Sequence, residues 1–525
     1  MNTWSKRPLS AFLYAGLAMA LGALLTLAFA PYNVFPLAII APAGLLVLWL
    51  QASPKRAGWL GFCFGIGLFS TGVYWVFISI HEYGDVPSSF AGLITAGLIA
   101  VLALFPASVG YVFKRFFPAP SAINVICAFP AVWILFSEWL RSSLFCGFPW
   151  LFVGYSQINS PLKGFAPIFG VYGISFAALL TSACIVNSWM QYKQKNYHAI
   201  YLSLFMITAI WTTGGLLNLI RWTSPDGKPL SVSLVQANIP QSVKWDPEHL
   251  QLSFDRYTEL TAPLWGKNDL IIWPEAAIPL TMQNAARFID ALDVKAQETN
   301  TQLILGIPVE SPNGKQYHNA IIVLGEERGY YLKRLLVPFG EYVPFQRFFA
   351  GLFDLLQVPM SNLSPGQASQ PPIHVKGIKI LPSICFEITF PDLMRSHDQS
   401  IGMLLTITND AWFGRSSAQA QHLQMAQMRA AEFNRPVLFV SNDGITAIIA
   451  SNGTIAASIP DHETAVLKGT VQPMVGLTPW MYFGSDATLF ILLCMLFIAN
   501  RMQHAAAKAI KLSTKIEQSQ GLASS

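Results

Sequence analysis

Three short segments carry the residue types of covalent acyl chemistry. Trp273-Pro274-Glu275 ends one apolar run and Ser383-Ile384-Cys385-Phe386-Glu387 ends another; between them, Leu332-Lys333-Arg334 leads into Val337-Pro338-Phe339-Gly340-Glu341-Tyr342. The thiolate is the reactive form of cysteine, yet a free thiol ionises only near pH ~8.5. A carboxylate such as Glu275 takes that proton as the sulfur attacks. An ammonium such as Lys333 holds the negative charge that develops on a carbonyl oxygen, and backbone N–H groups after the cysteine, that of Phe386 included, share it. Glu, Lys and Cys thus suffice for acyl transfer with no metal and no cofactor. Taken singly, each has a plainer reading: a solvated loop carboxylate, a surface lysine, a cysteine that only packs.

The elements that must position these groups fall into two kinds. Of 525 residues, 53% are hydrophobic and 12% charged, against about 25% charged in soluble domains. A bilayer-spanning helix needs roughly 20 mostly apolar residues. Candidates lie near 9–30, 34–51, 57–80, 89–113, 121–140, 164–190, 198–220 and 484–500, seven before a long polar segment and one after it. The first is read as a retained helix, not a cleaved signal peptide, because it is long, Pro31 follows the small-residue site and further apolar spans come next. Lys6, Arg7, Lys55, Arg56, Lys114, Arg115, Lys193, Lys195 and the tail residues Arg501, Lys508 and Lys511 fall on one side, and Glu82 and Asp85 on the other. The positive-inside rule then puts both termini in the cytoplasm and 221–483 outside. The expected division is a helical domain over 1–220, a catalytic domain over 221–483, a last span over 484–502 and a loose polar tail over 503–525.

Within the polar segment, short Val/Ile/Leu-rich runs predict strands at 231–238, 269–274, 302–307, 319–324, 378–384, 403–408, 436–441 and 445–450, with helices at 247–262, 282–298 and 419–434. Such alternation predicts a layered α/β domain, and strand ends are where such domains place reactive groups. Residues 345–359 form an apolar stretch inside the polar segment, either a core helix or an arm that dips into lipid. Trp480-Met481-Tyr482-Phe483 reads as an interfacial anchor.

Of the six cysteines, Cys385 alone lies in the polar part, without a disulfide partner there. No CxxC pair, HExxH motif or G-x-S-x-G elbow is present, which argues against zinc, thioredoxin-like and serine-hydrolase chemistry. His318 and His422 could line the site, but the plainer reading of each is a satisfied polar residue. The net charge of +5 is not gathered into a stripe, so no nucleic-acid partner is expected.

The three segments resemble the nitrilase (carbon–nitrogen hydrolase) superfamily, and the whole chain is similar to its membrane-bound, apolipoprotein N-acyltransferase branch. The matching pieces are Val235-Gln236-Ala237-Asn238-Ile239-Pro240-Gln241, Lys244-Trp245-Asp246, Trp273-Pro274-Glu275, Leu336 to Tyr342, Ile384-Cys385-Phe386-Glu387, Thr408-Asn409-Asp410-Ala411-Trp412-Phe413-Gly414 and Gln421-His422. The resemblance implies an αββα sandwich with Glu275 as general base, Lys333 as stabiliser of the tetrahedral intermediate and Cys385 as nucleophile. It further implies roles for Trp245, Glu341 and Glu387, and for Phe386 where many members carry tyrosine. It implies a phospholipid acyl donor, a diacylated apolipoprotein acceptor and a monomer in the inner membrane. Two other readings stand beside it: a membrane-tethered amidase that hydrolyses its thioester, and a transporter or scaffold, for which Glu138 would be the intramembrane charge.

Overall fold

A computed structural model describes residues 8–338, 340–342 and 363–523; the apolar stretch 345–359 lies outside them. Residues 8–217 are mostly helical, with short connections. Among the described residues, five helices are long and apolar enough to cross a membrane: Ser88–Phe116, Asn124–Ser143, Pro161–Lys193, Tyr197–Leu217 and Pro479–Ala505. Pro54–Gly72 and Trp75–Glu82 form a sixth span only if joined across a 54° bend, and Ala11–Thr26 and Leu37–Leu50 are shorter apolar helices. Every apolar stretch expected as a span is therefore helical. As far as Ala523 the expected loose tail is helical, within a long element Pro479–Ala523 that breaks at Gly484, in keeping with its run of Ala, Lys and Gln.

Between the helices lie two six-stranded sheets. One runs in the order Ala465–Val471, Leu230–Gln236, Leu270–Ile272, Gln302–Glu310, Tyr317–Leu324, Gly329–Leu332. The other runs Ile455–Ile459, Thr446–Ile449, Val437–Ser441, Ile401–Thr408, Ile378–Ile384, Ile373–Val375. Each has three parallel strands at its centre and antiparallel strands outside them. All eight expected strands are present. The four unexpected strands of these two sheets, Gly329–Leu332, Ile373–Val375, Ile455–Ile459 and Ala465–Val471, are outer antiparallel strands; Ser224–Pro225 and Met474–Val475, also unexpected, pair in a separate two-stranded sheet. Two of them, Ile455–Ile459 and Ala465–Val471, keep mostly solvent-accessible side chains, so they show no continuous apolar run.

Side chains alternate across each strand, which gives both sheets two apolar faces. The inner faces meet through Val232, Leu234, Ile272, Ile304, Met403, Leu405 and Ile407. The outer face of the first sheet packs Ile271, Trp273 and Leu303 on Tyr257, Ile289 and Leu292 of helices Leu250–Thr261 and Ala286–Glu298. The outer face of the second packs Leu404, Phe439 and Ile449 on Leu423, Ala426 and Phe433 of helix Ala418–Phe433. The order helix, sheet, sheet, helix is an αββα sandwich. Trp480 and Met481 belong to this last core, fully buried with Trp480 against Phe433. Of the expected anchor, therefore, only Tyr482 and Phe483 are exposed.

Helix Ala418–Phe433 has no free face. Ala418, Met425, Met428 and Ala431 join the core of the helical bundle, and its buried polar groups are answered across that junction. Gln421 accepts from the Trp150 indole at 2.6 Å. Gln424 accepts from the Ala30 N–H at 3.3 Å, and Glu432 from the Val171 N–H at 2.8 Å.

Gly306 is closely packed on both sides: an added Cβ would sit 2.6 Å from the Pro274 carbonyl oxygen and 2.7 Å from Glu275 Cα, in the turn after the neighbouring strand of its own sheet, and 2.7 Å from Ile407 Cδ1 of the other sheet. Gly306→Ala is expected to destabilise the fold by about 1–3 kcal/mol through overpacking against backbone, seen as a lower denaturation midpoint in detergent.

Candidate active site

Glu275, Lys333 and Cys385 all follow directly on a strand or its immediate extension. Glu275 comes three residues after Leu270–Ile272 at the carboxyl end of a parallel strand, and the turn beyond it puts Ala276 at φ 46°. Cys385 comes directly after Ile378–Ile384 and has φ 53°, a left-handed conformation that costs a non-glycine residue roughly 1 kcal/mol or more. Lys333 leaves the outer strand Gly329–Leu332, with its own N–H donating to the Asn319 carbonyl at 2.9 Å.

The structure brings these groups together. The Lys333 ammonium, 1% exposed, lies 2.8 Å from Glu341 Oε1 and 3.5 Å from Glu275 Oε1. The Asn319 side-chain amide donates to Glu275 Oε1 at 2.6 Å and to Glu341 Oε1 at 3.3 Å. The Asn409 N–H donates to the other oxygen of Glu275 at 2.8 Å. Two carboxylates thus share one ammonium and one amide. Burial works against the charge on Lys333, but Glu341, Glu275 and Cys385 more than offset it, so its pKa lies above the ordinary lysine value.

Burial pushes the Cys385 thiol well above its usual range. The negative charge of Glu275 adds to this, and Lys333 pulls part of it back. The thiol therefore rests protonated at neutral pH.

The remaining expected residues divide. Glu341 contacts Lys333 directly and accepts from the Val337 N–H at 2.8 Å, closing its own loop. Glu387 is fully buried and works on backbone. It accepts from the N–H groups of Arg334 at 2.7 Å, Leu335 at 3.1 Å and Ile384 at 2.8 Å, and from the Tyr331 hydroxyl at 3.0 and 2.9 Å. One carboxylate thereby staples the lysine segment to the cysteine segment. Burial raises its pKa, and these N–H donors and the nearby cations lower it in part. Phe386 packs edge-on against Phe390 at 5.0 Å and against the core of the helical bundle. Trp245 is 49% exposed at the end of helix Gln241–Lys244.

Sequence reasoning passed over Asn319, and it gave no role in the site to Lys244 or Asp410, which it named only within matching pieces, or to His422, which it read as a satisfied polar residue. Lys244 is buried beside Trp245 and donates to the Glu275 carbonyl at 3.2 Å. Burial pulls it down to about 8, with Glu275 and Asp443 opposing. His422 is fully buried between Asp410 and the Cys385 carbonyl. Its place in the Gln421-His422 piece was the available signal. His318 instead contacts the Ser364 carbonyl at 2.8 Å. Glu138 accepts from the Val153 N–H at 2.9 Å, and Arg141, one turn on, donates to the Phe148 and Trp150 carbonyls at 2.9 and 2.5 Å. That pair holds the 148–153 loop against the bundle, a structural use that removes the main support for transport.

Comparison with known proteins gives the same outline. Residues 21–184 match the family described as apolipoprotein N-acyltransferase N-terminal domain, and residues 231–479 match carbon-nitrogen hydrolase. The apolipoprotein N-acyltransferase of Coxiella burnetii is 43% identical over 92% of this chain and 99% of its own length. That of Azotobacter vinelandii is 40% identical over 93% of this chain and 96% of its own. Among solved structures, a CN-hydrolase superfamily protein from Xanthomonas campestris covers 47% of this chain and 91% of its own, with 20% identity and a TM-score of 0.36. With both halves matched in order and such identity over nearly the whole length, the chain belongs to the apolipoprotein N-acyltransferase family.

Proposed function

We propose that this protein moves an acyl chain from a membrane phospholipid to the α-amino group of the N-terminal S-diacylglyceryl-cysteine of an apolipoprotein, through a thioester on Cys385. The observation that carries the reading is the buried Lys333 ammonium between Glu275 and Glu341, beside a protonated thiol whose neighbour Phe386 packs on the helical bundle.

In the first half-reaction Sγ attacks the ester carbonyl carbon while Glu275 takes the thiol proton. The protonated resting state of the thiol is what makes that base necessary. Lys333 faces the oxyanion, held in place by Glu341. Collapse breaks the ester bond, the proton passes from Glu275 to the departing lysophospholipid oxygen, and the thioester remains. In the second half-reaction the acceptor amine attacks the thioester, its proton passes to Glu275, and Cys385 leaves and is reprotonated. Two sequential half-reactions imply ping-pong kinetics.

Both substrates are lipids, which accounts for the half of the chain spent on apolar helices. The bundle is proposed to comprise eight spans, with the bent Pro54–Glu82 pair and the two shorter apolar helices counted. Residues 221–483 then form the catalytic domain on the outer face of the inner membrane, with both termini in the cytoplasm, and one copy suffices. The amidase reading is not favoured, because the relatives matched over nearly the full length carry the N-acyltransferase name.

Cys385→Ala and Cys385→Ser are expected to abolish transfer; substantial turnover by the alanine variant would remove the thioester mechanism. Glu275→Gln is expected to lower acyl-adduct formation on the order of 10²-fold or more, and a normal adduct by mass spectrometry would overturn its role as base. Because Lys333 pulls the thiol pKa down, Lys333→Met leaves less thiolate at a given pH. Alkylation of Cys385 by iodoacetamide should then slow at neutral pH and its profile move to higher pH; an unmoved profile would count against the electrostatic role. An Asn313→Cys thiol, on an exposed turn, placed in a Cys385→Ala background, should be labelled by an impermeant reagent outside intact spheroplasts. Labelling only after lysis would invert the topology.

A further inference from the structure

His422 is fully buried, and none of the roles assigned above uses it. Its Nε2 lies 3.1 Å from the Cys385 carbonyl oxygen and its Nδ1 lies 3.0 Å from Asp410 Oδ1. A carbonyl oxygen only accepts, so Nε2 carries a proton and donates. Asp410 Oδ1 also accepts from the Thr408 hydroxyl at 2.7 Å.

The ring itself is wedged. Trp150, from the helical bundle, stacks on it at 6.1 Å, and Phe413 and Phe439 meet it edge-on at 6.1 and 5.2 Å. Trp150 is anchored in turn by its indole bond to Gln421. The imidazole therefore has one orientation available, set jointly by the sandwich and the bundle.

We propose that His422 is a positioning residue for the nucleophile, acting through the Cys385–Phe386 peptide. A trans peptide is a rigid plane with its C=O and N–H opposed. Pinning the Cys385 carbonyl therefore fixes the direction of the Phe386 N–H, the backbone donor for the developing oxyanion. It also holds Cys385 in the left-handed conformation that aims its sulfur. The bundle, through Trp150, thus helps to shape the active site as well as anchoring it. This inference rests on the reading of Cys385 as nucleophile.

Two substitutions in the full-length protein separate positioning from packing. The Gln side chain in His422→Gln reaches the position of Nε2 and retains a donor for the Cys385 carbonyl. The Asn side chain in His422→Asn reaches only the position of Nδ1. With a labelled phospholipid as donor and a diacylated lipopeptide as acceptor, H422Q is expected to keep kcat within about 10-fold of wild type. H422N is expected to lose on the order of 10²-fold in kcat, the scale of a small misplacement of reacting groups, with KM little changed and acyl-adduct formation slowed in parallel. If H422N does not fold, His422→Leu, which lacks any donor, takes its place. Equal kcat values in the Gln variant and its donor-less counterpart would overturn the proposal, whether both stay active or both fail with lowered thermal midpoints. Cys385→Ala, run alongside, distinguishes the two levels: turnover by that variant sinks the nucleophile reading, whereas a dead Cys385→Ala with equal His422 variants sinks only this inference.

Discussion

A lysine ammonium taken out of water must be matched by charge. Lys333 is almost wholly buried, and moving such an ion out of solvent costs several kcal/mol unless partners replace the lost hydration. Glu341 at 2.8 Å and Glu275 at 3.5 Å supply them. The need is mutual, since two carboxylates this close repel without the ammonium and the Asn319 amide between them. This one interaction ties the Glu275 turn, the Tyr317–Leu324 strand and the 333–342 loop to a common point. Glu387 adds the cysteine segment through backbone hydrogen bonds. The site is assembled by electrostatic matching, and the sandwich around it keeps the matched charges dry.

The same demand explains helix Ala418–Phe433. Its sequence is rich in Gln, with a His, an Arg and a Glu, yet nearly every position is buried. Buried polar groups need partners, and several of these come from the helical bundle: Trp150, Ala30 N–H and Val171 N–H. Arg429 and Glu432 pair with each other, 3.1 Å apart, beneath Tyr155. A helix so built is stable only between the two parts of the protein, so the sheet that carries Cys385 and the apolar bundle are joined through one shared layer.

At rest the nucleophile is restrained. Burial and the charge of Glu275 keep the thiol protonated, a form that attacks poorly and oxidises slowly. On the proposed mechanism, reactivity would require the base, the ammonium and an ester carbonyl together, which would suit an enzyme that has to keep a thioester from water. The backbone strain at Cys385 is held in place by neighbours on both sides, Glu387 on Ile384 and His422 on the Cys385 carbonyl.

The sequence by itself determined a great deal. Apolar run lengths marked the long helices of the bundle, and continuous Val/Ile/Leu runs marked the eight inner strands of the two large sheets, because burial on both faces leaves a composition signal that needs no knowledge of neighbours. The strand-end positions of Glu275 and Cys385 were legible for the same reason. Tertiary structure alone decided the rest. The outer strand that delivers Lys333 has no such run. Asn319, Lys244 and His422 are ordinary polar residues along the chain and enter the site only because segments 44, 31 and 37 residues away in sequence converge there. Glu387, given only an unspecified role by the resemblance, turned out to bind backbone, and Trp480, expected at an interface, lies in a core. A polar side chain's meaning is set by what faces it, and which groups face one another is fixed only when the sheets and the bundle close on each other.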